Sequence, residues 1–336
     1  MPKKKVIIIA EAGVNHNGDI KLAKKLIDVA KNSGADYIKF QAFSSHALVI
    51  SKLKAAKYQE KNLKKKIKQL ELLKRLELKK DDYINIINYC NKKKIKYLFS
   101  VFDIKSLNFL LSLGIKKIKI PSGEVDNYPL LRLIAQQKMK VFVSTGMCSL
   151  KDVEKTINIL KKYRLKSNNI IIMHCNTDYP TKIEDVNLKA MITMGLKFKS
   201  LIGYSDHTAG FETAIAAIAL GANVIEKHIT ISKKLNGPDH IASMEPDVFR
   251  NYVKLIRNTS LLLGKGTKKP SKSEKKNMKL VKKSIVANLE IKKGHLFSEQ
   301  NLTCKRPAGG ISPYRWKNVI GKKAKKNYKE DDLIIL

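Results

Sequence analysis

Two short apolar runs of the sequence end in a histidine near a carboxylate. GYSDHTAG (203–210) carries Asp206 and His207, and VIEKHIT (224–230) carries Glu226 and His228. Neighbouring parallel strands lie about 4.8 Å apart, so imidazoles at matching heights can share one divalent transition metal. Two protein ligands leave positions open for water and a substrate oxygen. The alternative is a pair of structural histidines, each held by its neighbouring carboxylate, and the spacing leaves both interpretations open.

Lysine and serine side chains end several other strand-like runs. Ammonium groups supply charge, and hydroxyls and loop N–H groups supply directed donors, so together they predict a phosphate cradle. The alternative to a phosphate cradle is structural: the lysines extend their apolar stems to solvent, and the serines cap strand ends. The residues concerned are Lys39, Lys119, Ser100, Ser122, Ser144 and Ser205.

The elements that must position these residues read as repeated strand–helix units. Helical periodicity covers 20–33, 81–93, 104–113, 150–163 and 211–220, between eight β-rich runs. Alternation of this kind calls for parallel βαβ units, and eight units predict an α/β fold of the (β/α)₈ TIM-barrel type. A doubly wound sheet is the second choice, because no GxGxxG follows the first strand. The eight runs are VIIIAEAG from Val6, YIKFQ from Tyr37, YLFSVFD from Tyr97, KIKIPSG from Lys117, VFVSTG from Val141, IIIMHC from Ile170, LIGYSDH from Leu201 and VIEKHI from Val224.

A barrel brings the carboxyl ends of all its strands to one mouth, which is where such folds do chemistry. The chain is long enough for this domain and a smaller one. We expect the barrel over 1–264, a polar basic linker over 265–277 (KGTKKPSKSEKKN) and a small module over 278–336.

The formal net charge of +38 is the main composition signal. The lysines are spread along the chain without interleaved aromatics, which predicts solvated faces and an anionic substrate rather than a nucleic-acid partner. No long uncharged apolar stretch or export signal is evident, so we expect no membrane association. The four cysteines are widely spaced and form no CxxC motif, so we expect reduced thiols and a cytoplasmic location.

A series of motifs adds a resemblance to a known family. IIAEAGVNHNGD, KFQ, KIPSGE, STGM, HCNTDYPT, GYSDHTAG, VIEKHIT, GPDHIASMEP and KRPAGGISP occur in this order. The chain resembles the bacterial N-acetylneuraminate (sialic acid) synthases, a family that includes legionaminate and pseudaminate synthases. The resemblance implies a (β/α)₈ barrel followed by an antifreeze-like SAF domain. It also implies a transferase of the EC 2.5.1 class, serving cell-surface polysaccharide synthesis, that condenses phosphoenolpyruvate with an N-acylated hexosamine and releases phosphate.

Residue roles follow from the same resemblance. It implies a divalent metal, Mn²⁺ as a rule with Mg²⁺ or Co²⁺ as other choices, on His207 and His228, with Glu226 near the reacting carbons. Arg306 matches an arginine that enters the partner subunit's barrel in a domain-swapped homodimer. The implied phosphoenolpyruvate contacts are Lys39, Ser100, Lys119, Ser122, Ser144 and Ser205, and the implied sugar contacts are Gln41, Tyr179 and Asp239.

The exact sugar is a choice among relatives. We favour N-acetylmannosamine, giving N-acetylneuraminate, over a 2,4-diacetamido-2,4,6-trideoxyhexose, which would give legionaminate or pseudaminate. Two hypotheses of other classes are a polyanion-binding protein on an inactive barrel, motivated by the charge, and an aldolase with a lysine Schiff base.

Overall fold

The computed structural model describes residues 5–63 and 65–336, and the side chains of 57, 58 and 61 are left aside. The chain divides into two compact units, Met1–Lys265 and Gly266–Leu336. Among the described residues, no helix combines the length and apolar content needed to span a bilayer.

The first unit is a closed barrel of eight parallel strands in chain order, so the predicted (β/α)₈ fold is confirmed. Each strand hydrogen-bonds to the next, and β1 pairs with β8 to close the ring. The strands are β1 Ile7–Gly13, β2 Tyr37–Ala42, β3 Lys96–Val101, β4 Lys117–Ile120, β5 Lys140–Ser144, β6 Ile170–His174, β7 Leu201–Asp206 and β8 Val224–His228.

Amphipathic helices surround this barrel. The first of them begins after Asp19, whose carboxylate accepts a hydrogen bond from the Lys21 N–H, and it buries apolar residues at helical spacing. The five segments with predicted helical periodicity correspond to α1, α5, α6, α8 and α10 in the following series. The helices are α1 Ile20–Asn32, α2 Ser45–Leu48, α3 Lys57–Leu63, α4 Gln69–Leu76, α5 Lys80–Lys93, α6 Ile104–Ser112, α7 Tyr128–Gln136, α8 Leu150–Lys162, α9 Lys189–Phe198, α10 Glu212–Ala219 and α11 Pro246–Leu262.

The core of the barrel has two layers because strand side chains alternate between faces. Ile9, Leu98 and Phe142 belong to the cluster that fills the barrel interior, while the opposite faces of the strands pack against the helices. Gly203 allows close packing in the barrel wall, because a Cβ atom there would collide with the sulfur of Met173. The filled interior closes the barrel below its mouth and supports the polar residues at the strand ends.

The second unit contains α12 Lys272–Val281, β9 Ser284–Ala287, β10 Leu302–Lys305 and α13 Trp316–Val319. Strands β9 and β10 pair antiparallel over a small core of their own. The start of α12 lies within the segment predicted as a linker. Ser271 and Glu274 form a capping box there, and this local signal begins a helix in an otherwise polar run.

Candidate active site

A cavity of about 270 Å³ opens at the carboxyl ends of the strands. Twelve of the thirteen site residues predicted from the sequence line it, although they come from strands β2 to β8 or from the loops that follow these strands. They are Lys39, Gln41, Ser100, Lys119, Ser122, Ser144, Tyr179, Ser205, His207, Glu226, His228 and Asp239.

Glu226 lies at the centre of the polar cluster. Its carboxylate accepts hydrogen bonds from Lys119 Nζ at 3.0 Å to both oxygens, and from Lys39 Nζ at 3.1 Å. Ser205 Oγ donates a further bond of 2.8 Å, from the strand position that pairs with Glu226. Lys39 also donates to Ser100 Oγ at 3.1 Å. The two lysines predicted to hold an anionic substrate therefore hold a carboxylate of the protein.

The charges of this cluster are set by burial and by neighbouring charges. Burial raises the pKa of Glu226, but Lys119 and Lys39 outweigh burial and the net pKa is well below the usual value. Burial lowers the pKa of Lys119, and Glu226 offsets this only in part. Burial also lowers the pKa of Lys39, but Glu11 and Glu226 raise it above the ordinary value. Glu226 is consequently ionised and paired with two cations.

The two predicted metal histidines lie side by side. The His207 and His228 rings have centroids 5.4 Å apart and planes inclined at 62°. His207 Nδ1 donates to the backbone carbonyl of Asn176 at 2.5 Å, which leaves Nε2 as an acceptor, 3.3 Å from Ser205 Oγ. His228 Nδ1 is buried with no hydrogen-bond partner among the described residues. Within the described part of the chain, His207 Nε2 therefore has only the long polar contact with Ser205 Oγ, and His228 Nδ1 has no hydrogen bond.

Both imidazoles are neutral near pH 7. Burial lowers the pKa of His207 to about 4. Burial, helped by the neighbouring His207, lowers the pKa of His228 well below its ordinary value. Neutral imidazole is the form that coordinates a divalent transition metal.

The alternative in which Asp206 holds His207 does not match the geometry. Asp206 lies on the opposite face of β7 from His207, where its carboxylate bonds to Thr208, Tyr252 and Lys227. Strand alternation explains the difference, because residues adjacent in a strand point to opposite faces.

The remaining predicted residues form the wall of the cavity. Ser122 Oγ accepts from the Gly146 N–H at 2.9 Å. Tyr179 packs on the His207 ring, with a centroid distance of 4.3 Å. Burial raises the pKa of Asp239 to about 6. These positions suit binding of a polar ligand beside the histidines.

Glu11 is a polar residue of the cavity that the site prediction left out. Its carboxylate lies 3.4 Å from Lys39 Nζ, and its Oε2 atom is buried without a hydrogen-bond partner in the described part of the chain. Burial raises its pKa to about 7. Its place at the end of β1, opposite His228 in the strand register, was the signal available in the sequence.

An apolar wall was also missed. Helix α4, the last residue of α2 and the residue after β3 contribute it, and the leucines of α4 recur at helical spacing, a pattern that by itself indicates core packing. The wall comprises Leu48, Leu72, Leu73, Leu76 and Phe102.

Arg306, the thirteenth predicted residue, lies in the second unit. Its side chain is exposed, directly after β10. Its predicted role in a partner's active site stays a prediction.

Comparison with known proteins identifies the family. Residues 26–268 match the model of the NeuB family, and residues 282–334 match the SAF domain. The chain belongs to the NeuB family. The small second unit is accordingly a SAF domain, and the predicted resemblance is confirmed.

Individual relatives agree with this assignment. The chain is 49% identical to an N,N'-diacetyllegionaminic acid synthase of Campylobacter jejuni, over 98% of this chain and 99% of that protein. It is 44% identical to the enzyme of the same name from Legionella pneumophila, over 95% and 90% of the two chains. A crystal structure of N-acetylneuraminic acid synthetase from Leptospira borgpetersenii superposes with a TM-score of 0.71 at 34% identity, covering 82% of this chain and 90% of that chain. The NeuB chain is an enzyme, a transferase of the nonulosonic acid synthase class.

Proposed function

We propose that this enzyme condenses phosphoenolpyruvate with a 2,4-diacetamido-2,4,6-trideoxyhexose to form N,N'-diacetyllegionaminate and phosphate. The observation that carries the choice of sugar is the 49% and 44% identity to two synthases of that name. Identity to the N-acetylneuraminic acid synthetase of known structure is 34%. The similarities therefore favour the alternative of the sequence analysis over its first choice, N-acetylmannosamine.

The apolar wall supports the same sugar. Leu72, Leu73 and Leu76 form one side of the cavity, and Phe102 adds an aromatic face. A trideoxy sugar carries a methyl group where N-acetylmannosamine carries a hydroxymethyl, and it has a second acetamido methyl. Transfer of both methyl groups from water to such a wall favours binding, whereas a hydroxyl placed there loses its hydrogen bonds to water. Gln69 adds an acceptor at the wall, since its Oε1 atom is buried without a partner among the described residues.

We propose that phosphoenolpyruvate binds to Lys39 and Lys119, the two lysines that hydrogen-bond to Glu226 in the structure. Lys39 and Lys119 are buried at 4% and 1% exposure, so a phosphate or carboxylate in the cavity meets their charge in a weakly screened site. Ser100, Ser122, Ser144 and Ser205 provide hydroxyl donors around the same space. The carboxylate of Glu226, released from part of this pairing, is then available to face positive charge developing at C2 or to orient water.

His207 and His228 are the residues proposed to hold a divalent metal, Mn²⁺ by family resemblance. Within residues 5–63 and 65–336, no cluster of three or more histidine, cysteine or carboxylate side chains surrounds a common point, so the two imidazoles are the ligands that we assign. Such an ion acts as a Lewis acid toward a carbonyl oxygen when it is bound. The chain's own contribution is to keep both imidazoles neutral and to place both residues in the wall of the cavity.

The proposed reaction forms one C–C bond and one C–O bond and breaks one C–O bond. C3 of phosphoenolpyruvate attacks the aldehyde carbon of the open-chain sugar, and the aldehyde oxygen takes up a proton to become a hydroxyl. Water adds its oxygen at C2 and gives up a proton, and cleavage of the original C2–O bond then releases phosphate and leaves a ketone at C2. Bridging ¹⁸O in phosphoenolpyruvate should appear in the phosphate. Retention of the label in the sugar acid would contradict this order.

The substrate is tested by comparing kcat/KM for 2,4-diacetamido-2,4,6-trideoxymannose with that for N-acetylmannosamine. We expect the trideoxy sugar to be preferred by at least about 100-fold, because buried polar groups without partners discriminate strongly. Equal or better turnover of N-acetylmannosamine would restore the first choice.

A further inference from the structure

A pair of opposite charges is buried directly behind the two histidines. Asp206 Oδ2 and Lys227 Nζ lie 3.0 Å apart, and each residue is only 1% exposed. They occupy paired positions in the register of β7 and β8. Their neighbours in sequence line the cavity, so this pair faces the helices on the outer side of the barrel wall.

Hydrogen bonds extend the pair into a closed network. Asp206 Oδ1 accepts from the N–H and the hydroxyl of Thr208, at 2.9 and 2.7 Å, and Oδ2 accepts from the Tyr252 hydroxyl at 2.8 Å. Lys227 Nζ also donates to the backbone carbonyl of Thr208. The network therefore ties three elements together: the end of β7, the end of β8 and helix α11.

Three residues of this network are adjacent to the two histidines in the sequence. Asp206 and Thr208 are the two residues that flank His207, and Lys227 is the residue before His228. The backbone on both sides of one imidazole and on the amino-terminal side of the other is thus fixed by the same ion pair. Packing between the barrel and α11 does not require charged residues at these positions, because a buried ion pair often stabilises a protein no more than apolar residues of similar volume. Ile225 and Phe249 are fully buried in the surrounding layer, and the Thr208 hydroxyl also lies 3.3 Å from the hydroxyl of Thr213.

We infer that Asp206 and Lys227 are positioning residues for the divalent metal, since their pairing sets the separation and inclination of the His207 and His228 rings. This inference rests on the proposed function, in which those imidazoles hold the ion. Replacing outer-shell residues that orient metal ligands typically changes metal affinity 10–100-fold. The pair acts through the backbone and touches neither substrate nor metal.

The test measures Mn²⁺ binding to the full chain without substrate, by the loss of the free-ion electron paramagnetic resonance signal. The double variant Asp206→Leu/Lys227→Met removes both charges together, so no single buried charge is left unpaired. We expect its dissociation constant for Mn²⁺ to rise by about 10- to 100-fold. The matched control is Asp36→Leu/Arg257→Met, which removes an ion pair of 2.7 Å at the amino-terminal end of β2. It should bind Mn²⁺ as the wild type does.

Two milder variants cover the case in which the double variant does not fold. Tyr252→Phe and Thr208→Val each delete one hydroxyl that donates to Asp206, and both should weaken Mn²⁺ binding in the same direction by a smaller factor. Wild-type affinity in the folded double variant, or in both milder variants, would overturn the inference. Failure of the proposed metal site looks different: the wild type would then bind no Mn²⁺, or His207→Ala would bind it unchanged.

Discussion

Lys119 Nζ lies 3.0 Å from both carboxylate oxygens of Glu226, and both residues are buried at the bottom of the cavity. In this arrangement the protein supplies the anion that its cationic pocket requires. Under the proposed function, an incoming phosphoenolpyruvate has to compete with Glu226 for Lys119 and Lys39. The internal pairing therefore keeps the cavity stable and organised before substrate arrives, at some cost in substrate affinity.

Replacing Glu226 by glutamine tests this competition. Glu226→Gln leaves Lys119 without its carboxylate partner, so we expect the free energy of unfolding to fall by about 3 kcal/mol. Phosphoenolpyruvate should then raise the Tm of the variant by more than it raises that of the wild type, because the ligand restores the missing anion. Turnover should fall at least about 100-fold. Urea unfolding and thermal scans with and without phosphoenolpyruvate measure these effects.

Glu71→Gln is the matched control. It removes the carboxylate of an exposed ion pair with Arg75, and such pairs contribute about 0–1 kcal/mol. Stability and ligand response should stay near those of the wild type. Equal behaviour of Glu226→Gln and Glu71→Gln would contradict the competition model.

Glu11 should make stability depend on pH near neutrality. Burial raises its pKa to about 7, so the folded chain binds a proton more tightly than the unfolded chain. The resulting stabilisation is fully present below the ordinary glutamate pKa of about 4.3 and is lost as pH rises through about 7. Glu11→Gln mimics the protonated form and does not titrate. We therefore expect the free energy of unfolding of this variant, minus that of the wild type, to increase by up to about 3 kcal/mol between pH 5 and pH 8. Denaturant unfolding at the two pH values measures the gain, and the same difference at both would show that Glu11 does not titrate in this range.

The sequence predicted the barrel and its mouth because both follow from periodicity. Alternating strand and helix patterns indicate the fold, and polar strand ends such as Ser205 and His207 must then converge. Which groups pair across the mouth depends on how the closed ring brings distant strands together. The contacts of Glu226 with Lys39 and Lys119, from β2 and β4, were consequently not predictable from spacing.

Two further differences have local causes. Asp206 was considered as a partner of its neighbour His207, although strand alternation places adjacent residues on opposite faces. Leu72 and Leu76 recur at the spacing of one helix face, a pattern that by itself indicates core packing, and this face lines the cavity. Periodicity identifies a buried face, but it does not distinguish a protein neighbour from a ligand.

Leu72 should contribute to sugar specificity. Leu72→Ala removes apolar contact area from the cavity wall, and loss of contact with a methyl group is worth about 1–3 kcal/mol in binding. We expect kcat/KM for the trideoxy sugar to fall about tenfold or more, with a smaller change for N-acetylmannosamine. Leu160→Ala is the control, since Leu160 is fully buried in α8 away from the cavity and its truncation costs comparable stability. Equal losses for both sugars in Leu72→Ala would indicate a purely structural role.

Arg306 tests whether the SAF domain of one chain completes the site of another. The side chain is exposed in the second unit, and the family resemblance predicts that it enters the partner subunit's barrel. Arg306→Ala and His207→Ala should each be inactive alone, by at least about 100-fold in kcat/KM. In a crossed heterodimer one site carries both lesions and the other carries neither, so mixing the two variants under conditions of subunit exchange should restore activity toward one quarter of the wild-type level. Exchange verified by mass spectrometry of differently labelled chains is the necessary control. Lys292→Ala, which should be active alone, mixed with His207→Ala shows the fall in activity expected from dilution with an inactive barrel. Proven exchange without recovery would mean that Arg306 serves the barrel of its own chain.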